Sequence, residues 1–273
     1  MREAIPLDPV ELFLLWPAHT DPPAVLDLPR PGPTPAERAG HAAEASAALA
    51  ARGLGGVDRP APALAALLRT LTDGHVTLEL RTPGADGFGA AGDQDAAVAL
   101  RDGERIRLAA STPGALAAAL LDRLPPLPAA PGLPVTVTVG DYATACRAGD
   151  TGGAPAFTHA LLAAGLREAD ATTLTRAVTT RTGGGQIGAT VGRTRVPGPV
   201  TWIDTPAGRY ALRRDGDWVS LTPATVARLT AMTTALTGNR PGVTPRPGRR
   251  ANRVDTGDPA GGRLLRPART GRR

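Results

Sequence analysis

Apolar residues in the first half of the chain change their spacing near residue 75, from a helical to a strand period. Thr34-Pro35 is a helix-start pair, and the Ala-rich segment after it ends at Arg52-Gly53, where glycine suits a helix C-cap. Leucines recur every three or four residues over 62–71, which predicts a second helix. Residues 75–81 then alternate between polar and apolar, as on a strand with one buried face.

The next segment combines a glycine-rich stretch with two short alternating runs. We predict a mobile loop over residues 84–92, with Phe88 at its centre. Two predicted strands, 97–101 and 105–109, flank Asp102-Gly103, a dipeptide that favours a tight hairpin turn. This part of the chain is therefore expected to contribute a hairpin and a flexible loop beside it.

The second half of the chain repeats this order. Thr112-Pro113 starts a leucine-bearing helix that closes the first half, and a proline-rich stretch over 125–134 separates the two halves. The pattern after it predicts two helices, four strands and a last helix. In chain order these are a helix that ends near 165, a helix around 174–178, strands at 187–191, 200–203, 209–212 and 218–221, and a helix that Thr222-Pro223 opens.

Four landmarks in the two halves are separated by nearly the same number of residues. The helix-ending glycines, the alternating strands, the Asp-Gly turns and the Thr-Pro pairs are offset by 112, 111, 113 and 110 residues. This recurrence suggests an internal duplication, and two such units would share one antiparallel sheet. We therefore predict an α+β fold, a quasi-two-fold repeat with a central antiparallel β-sheet flanked by helical bundles. It would form a single domain over residues 1–237, with pseudo-repeats at about 34–124 and 155–237.

Positive charge is concentrated at the C-terminus. The formal net charge is +6, and residues 238–273 contain ten arginines against two aspartates, so this tail carries about +8 and residues 1–237 about −2. The tail is rich in Gly, Pro and Arg, and it is predicted to be disordered. It could bind nucleic acid, but no aromatic residues for base stacking are interleaved with its arginines. A solvated extension is the preferred interpretation.

Export and membrane insertion are not indicated by the sequence. The chain shows no secretory signal pattern and no apolar run of the roughly 20 residues that a membrane span needs. Cys146 is the only cysteine, which excludes an internal disulfide and a cysteine-rich zinc site. We therefore expect a cytoplasmic protein.

No catalytic arrangement is predicted either. Residues 183–188 match the G-x-G-x-x-G pattern, but a helix is predicted before them and a strand after them, the reverse of a dinucleotide site. The four histidines fall in no metal-binding pattern. Arg147 could lower the pKa of the neighbouring Cys146 thiol, but no base is placed beside it. We expect no enzymatic activity, no cofactor and no metal.

One hairpin carries a recognisable motif. Residues 200–210 read V-T-W-I-D-T-P-A-G-R-Y, in which proline and glycine make a tight turn between two strands. The aromatic residues flank the turn, where they stabilise cross-strand packing, and the Asp and Thr side chains can cap it. We interpret the motif as fold-defining. Its residues are Trp202, Asp204, Thr205, Pro206, Gly208, Arg209 and Tyr210.

Together with G-G-G-Q-I-G at 183–188, this hairpin resembles the C-terminal half of the EspG family. P-T-P-A-E-R at 33–38 and L-A-A-R-G-L at 49–54 agree with the N-terminal half, and the resemblance covers about residues 7–237. The resemblance implies a quasi-two-fold α+β fold. It also implies a cytosolic, chaperone-like factor of an actinobacterial type VII (ESX) secretion system. The expected partners are helical secretion substrates, PE/PPE-like or WXG-type proteins.

The resemblance supplies no contact residues, so the contact surface is a separate hypothesis. An aromatic side chain at the tip of a mobile glycine loop could anchor a partner, which motivates Phe88. The glycine-rich strand and the last helix are the other candidates. The full set is Phe88, Gly185, Gln186, Leu229 and Met232. The alternatives are a general protein-binding adaptor of the same fold, and nucleic-acid binding through the arginine-rich tail.

Overall fold

The computed structural model describes residues 4–238, so the predicted disorder of the tail concerns residues outside the described part. Residues 4–238 form seven α-helices and eleven strands. In chain order these are β1 (Ile5–Leu7), α1 (Pro9–Leu15), α2 (Pro35–Ala51), α3 (Pro62–Asp73), β2 (Val76–Arg81), β3 (Gly87–Ala91), β4 (Ala96–Asp102), β5 (Arg105–Ser111), α4 (Leu116–Leu121), β6 (Val135–Thr138), α5 (Val139–Ala163), α6 (Glu168–Thr179), β7 (Gly183–Val191), β8 (Thr194–Arg195), β9 (Val200–Thr205), β10 (Gly208–Asp215), β11 (Trp218–Pro223) and α7 (Val226–Thr237). Single 3₁₀ turns occur at Ala24–Leu26 and Pro113–Ala115.

One antiparallel sheet contains all eleven strands. Its order is β1-β5-β4-β3-β2-β7-β9-β10-β11-β6, and β8 pairs with β7 alone. The two halves meet where β2 pairs with β7, from Val76 opposite Val191 to Arg81 opposite Gln186. Outward from this pair, each half places its strands in the same succession. The predicted fold class, α+β with a central antiparallel sheet, is therefore confirmed, whereas the duplication itself stays a prediction.

The outermost strand of each half leads directly into a capped helix. Asp8 after β1 accepts a hydrogen bond from the Val10 backbone, and Glu11 at the third helical position bonds back to the backbone N–H of Asp8. At the matching place after β6, the Thr138 hydroxyl accepts from the backbone N–H of Asp141. Side chains that satisfy the free N–H groups of a first turn fix where a helix starts. β1, α1 and β6 were not predicted, because strands of three and four residues are too short to show alternation.

Helix α5 is broken near its middle. Gly153 has φ 69° and ψ −161°, which is outside the helical region. The rings of Tyr142 and Phe157 have centroids 6.3 Å apart, whereas fifteen residues of straight helix would separate them by about 22 Å. The two segments of α5 therefore fold back on each other and share a core. In the first half, nineteen residues over 16–34 separate α1 from α2 at the matching place.

The two faces of the sheet are covered differently. On one face, α4 and α7 contact each other and pack over the middle of the sheet, around Leu78, Leu80, Ile187 and Ala189. On the other face, α1 and α3 pack over β3–β5 in one core, and α5 and α6 pack over β6 and β9–β11 in another. We call the first the closed face and the second the open face. The pair β2–β7 lies between the two cores of the open face.

Two sequence predictions about this architecture are wrong. The predicted loop 84–92 is mostly strand β3, and Phe88 is only 6% exposed in the core beneath α3. Its glycines make room for packing rather than motion: a methyl group at Gly89 would lie 2.8 Å from Leu116 Cδ1. The last helix does not begin at Thr222-Pro223, since those residues still pair in β11. It begins after Thr225, whose hydroxyl caps the first turn.

Candidate functional site

The hairpin motif places a buried ion pair at the turn between β9 and β10. Arg209 is fully buried, and its Nε and Nη2 donate to the two carboxylate oxygens of Asp204 at 2.5 and 3.1 Å. Arg209 Nη2 also donates to the carbonyl of Pro125, 3.2 Å away. A charge inside a protein needs a partner and hydrogen bonds, and this guanidinium has both. The sequence reading assigned no partner to Arg209.

The same motif holds the connection between the two halves against β10. The backbone N–H of Arg209 donates to the carbonyl of Pro128, and its carbonyl accepts from the N–H of Ala130. The Tyr210 hydroxyl donates to the carbonyl of Pro131 at 2.9 Å. At Gly208, where φ is +126°, a methyl group would lie 2.7 Å from the Pro128 oxygen. The motif residues therefore anchor the proline-rich connection, and only Pro206 and Ala207 at the turn are exposed.

A polar surface runs along the open face of β2 and β7. Alternate residues of these strands point away from the closed core, and none of them belongs to a hydrophobic cluster. We call them the open strip: Thr77, Glu79, Arg81, Gln186, Gly188 and Thr190. Arg81 and Gln186, which lie opposite each other, are exposed, and Thr77 and Thr190 are half-buried. Within residues 4–238, the helix that packs closely on β7 is α7, and it does so from the closed face.

An ion pair lies across the open strip. Arg195 of β8 reaches over β7 and its Nη1 donates to Glu79 Oε2 of β2 at 3.3 Å. Gly188 makes this path possible, because a methyl group there would lie 2.7 Å from Arg195 Nη2. The side chain of Arg195 is 59% exposed and that of Glu79 28% exposed. The pair is thus reachable from solvent.

The structure separates the five predicted contact residues. Gln186 lies on the open strip, and Gly185 faces the closed side, where Trp202 and the Arg81 carbonyl fill the space that a side chain would need. Leu229 is fully buried under α7, and Met232 is half-buried at its edge. Phe88 lies in the core, so the reason for its selection, an exposed loop tip, was wrong. Among the five, Gln186 alone presents an exposed side chain.

The lone cysteine has an unreactive setting. Burial raises the pKa of the Cys146 thiol, and Arg147 lowers it by a smaller amount. Burial also raises the pKa of Tyr142, whose hydroxyl contacts Cys146. A thiol with a raised pKa is a poor nucleophile at neutral pH. In the part of the chain that the structure describes, no three His, Cys, Asp or Glu side chains are placed to share a metal ion.

The comparisons with known proteins match this geometry to a family. The model described as the EspG family matches residues 8–234. The chain belongs to the EspG family. Among solved structures, it is similar to the type VII secretion system chaperone EspG5 of Mycobacterium tuberculosis, determined in complex with the PE25–PPE41 dimer. The TM-score is 0.65 at 18% identity, covering 86% of this chain and 95% of that one, so this likeness concerns the fold. The search of curated proteins gave no match.

In this EspG-family chain, sequence reasoning missed the pair Glu79–Arg195 that crosses the open strip. Alternation in β2 put Glu79 and Arg81 on one face, which was a usable signal. Arg195 belongs to a two-residue strand that no periodicity marks. Within residues 4–238, no helix is long and apolar enough to cross a membrane.

Proposed function

We propose that this chain is a cytosolic chaperone-like factor of a type VII secretion system, and that it binds PE/PPE-like or WXG-type helical proteins at the open strip. Membership in the EspG family and the likeness to EspG5, a chaperone solved with a PE–PPE dimer, support the role. The observation that carries the location is the uncovered middle of the open face, bordered on each side by a helical core.

The width of this gap suits a helix. The covered strands β3 and β9 are three strand steps apart, which is about 14 Å at the usual spacing in a sheet. An α-helix with its side chains is about 10–12 Å across. One helix, or the tip of a helical pair, therefore fits between the helices that flank the strip. The flanking helices then supply walls, and the strip supplies the floor.

Holding a helical partner needs no covalent step, and we propose that the chain is not an enzyme. The hairpin motif supports this view, because Arg209 and Tyr210 are engaged with backbone and with Asp204 rather than free to act on a substrate. The raised pKa of the Cys146 thiol supports it as well. No cofactor is required for such binding.

Co-expression tests the role. The full chain is produced with each PE/PPE-like pair or WXG-type protein encoded beside it, and the mixture is run on a size-exclusion column. We expect one candidate to co-elute at defined stoichiometry and to stay soluble only in the complex. If every candidate elutes separately, the chaperone role is contradicted and a general adaptor of the same fold becomes the better account.

A matched pair of bulky substitutions tests the location. Gln186→Trp fills the open strip, whereas Ala231→Trp adds the same ring to the exposed side of α7. We expect Gln186→Trp to weaken the complex by on the order of tenfold or more, because an interface must exclude the added volume. Ala231→Trp should bind normally. Equal binding by both variants would place the interface elsewhere.

A further inference from the structure

The open strip carries an excess of hydrogen-bond donors. Arg81 and Arg195 contribute two guanidinium groups, and Gln186 contributes an amide. The single carboxylate, that of Glu79, already accepts from Arg195. The free capacity of the surface is therefore cationic and donating. It complements a partner that presents oxygen acceptors.

We infer that the open strip receives the C-terminal end of an α-helix at the tip of the partner, with Arg81 and Arg195 as the residues that contact it. This inference rests on the proposed function. The last four carbonyls of a helix have no partner within the helix, and that end carries about half a negative charge. In a helical hairpin the first helix ends at the tip, so its carbonyls are the acceptors that a partner of this class offers.

Glu79 acts in this account as a positioning residue. Without it, the side chain of Arg195 would extend from β8 into solvent and lose its place above the strip. Gly188 has the complementary role, since it leaves the space in which the guanidinium lies. Together they hold one donor group over β7, while Arg81 lies on β2 opposite Gln186. The partner thus meets two donors placed before it arrives.

The inference makes the polarity of the pair important, beyond its presence. The double variant Glu79→Arg with Arg195→Glu rebuilds an ion pair with the charges exchanged. If the pair only stabilises the fold, the exchange restores binding that the single variant Arg195→Glu lost. If the guanidinium over β7 contacts helix carbonyls, the exchange leaves a carboxylate there, and binding stays lost.

Titration of the co-eluting helical partner into the full chain, followed by calorimetry, tests this. We expect Arg81→Glu, Arg195→Glu and the exchanged double variant each to weaken binding on the order of tenfold or more. Arg213→Glu is the matched control, because Arg213 is exposed on β10 on the closed face. Normal thermal unfolding of each variant shows that it folds.

The outcomes separate the two proposals. Binding of the wild-type chain but equal binding of the exchanged variant overturns the inference and leaves the proposed function standing. An equal loss in Arg213→Glu overturns it too, because net charge would then explain the effect. Absence of binding by the wild-type chain to every helical candidate overturns the proposed function, and the inference falls with it.

Discussion

The two faces of the β2–β7 pair show how one alternating sequence builds both a core and a surface. On the closed face, Leu78, Leu80, Ile187 and Ala189 are nearly inaccessible beneath α4 and α7. On the open face, Glu79, Arg81 and Gln186 occupy the positions between them and stay partly or fully exposed. The side-chain period of two therefore gives the same strands opposite tasks. The closed face stabilises the junction of the two halves, and the open face is free to bind.

The largest expected effect lies on the closed face, at the buried ion pair. Asp204→Ala leaves the guanidinium of Arg209 buried without its counter-charge, and breaking such a pair costs about 3–5 kcal/mol of unfolding free energy. Urea unfolding measures the loss. Asp215→Ala, at the exposed end of β10, should change stability by less than about 0.5 kcal/mol. A similar small loss for Asp204→Ala would contradict the assigned role of the pair.

Two adjacent residues of β7 give the next contrast. Ile187→Ala removes buried methyl groups from the closed core and should cost about 2–5 kcal/mol. Gln186→Ala removes an exposed side chain and should cost less than about 0.5 kcal/mol. The same urea experiment measures both. Comparable losses at the two positions would show that the open strip is covered.

Two glycines of β7 sharpen the contrast without a change of polarity. A methyl group at Gly185 meets the Arg81 carbonyl at 2.5 Å and the Trp202 ring at 2.6 Å, neither of which can move freely. We expect Gly185→Ala to cost about 1–3 kcal/mol in thermal unfolding. At Gly188 the obstacle is only the end of the Arg195 side chain. Gly188→Ala should therefore fold almost normally, and an equal loss would be evidence against the assignment of faces.

The smallest effect on stability is expected at the pair that crosses the open strip. Glu79→Gln removes an ion pair whose arginine is more than half exposed, and such pairs contribute about 0–1 kcal/mol. The melting temperature should change little, while partner affinity falls because Arg195 is no longer held in place. A large drop in melting temperature would instead make Glu79 a structural residue.

The elements with clear periodicity or punctuation were predictable, and the others were not. Thr34 with Glu37 marked the start of α2, and Asp102-Gly103 marked the β4–β5 turn. The strand around Phe88 was taken for a loop, because its glycines read as flexibility when they in fact accommodate α4 leucines from another part of the chain.

The candidate site was predictable only in part. Gln186 was selected from the sequence and lies on the open strip, but Leu229 was selected for its helix and is buried. Alternation in β7 states which residues share a face, but it does not state which face a helix will cover. That depends on where α4 and α7 pack, which is a property of the assembled fold. The Glu79–Arg195 pair joins residues 116 positions apart, and no local signal connects them.

Solvent protection of the open strip tests the central claim most directly. Gln186→Cys and, separately, Ala231→Cys are made in a Cys146→Ser background, and the rate of alkylation by iodoacetamide is measured with and without the co-eluting helical partner. We predict that the partner slows alkylation at position 186 strongly and leaves position 231 unchanged. Unchanged alkylation at 186 in a saturated complex would contradict the assignment of the open strip as the docking surface.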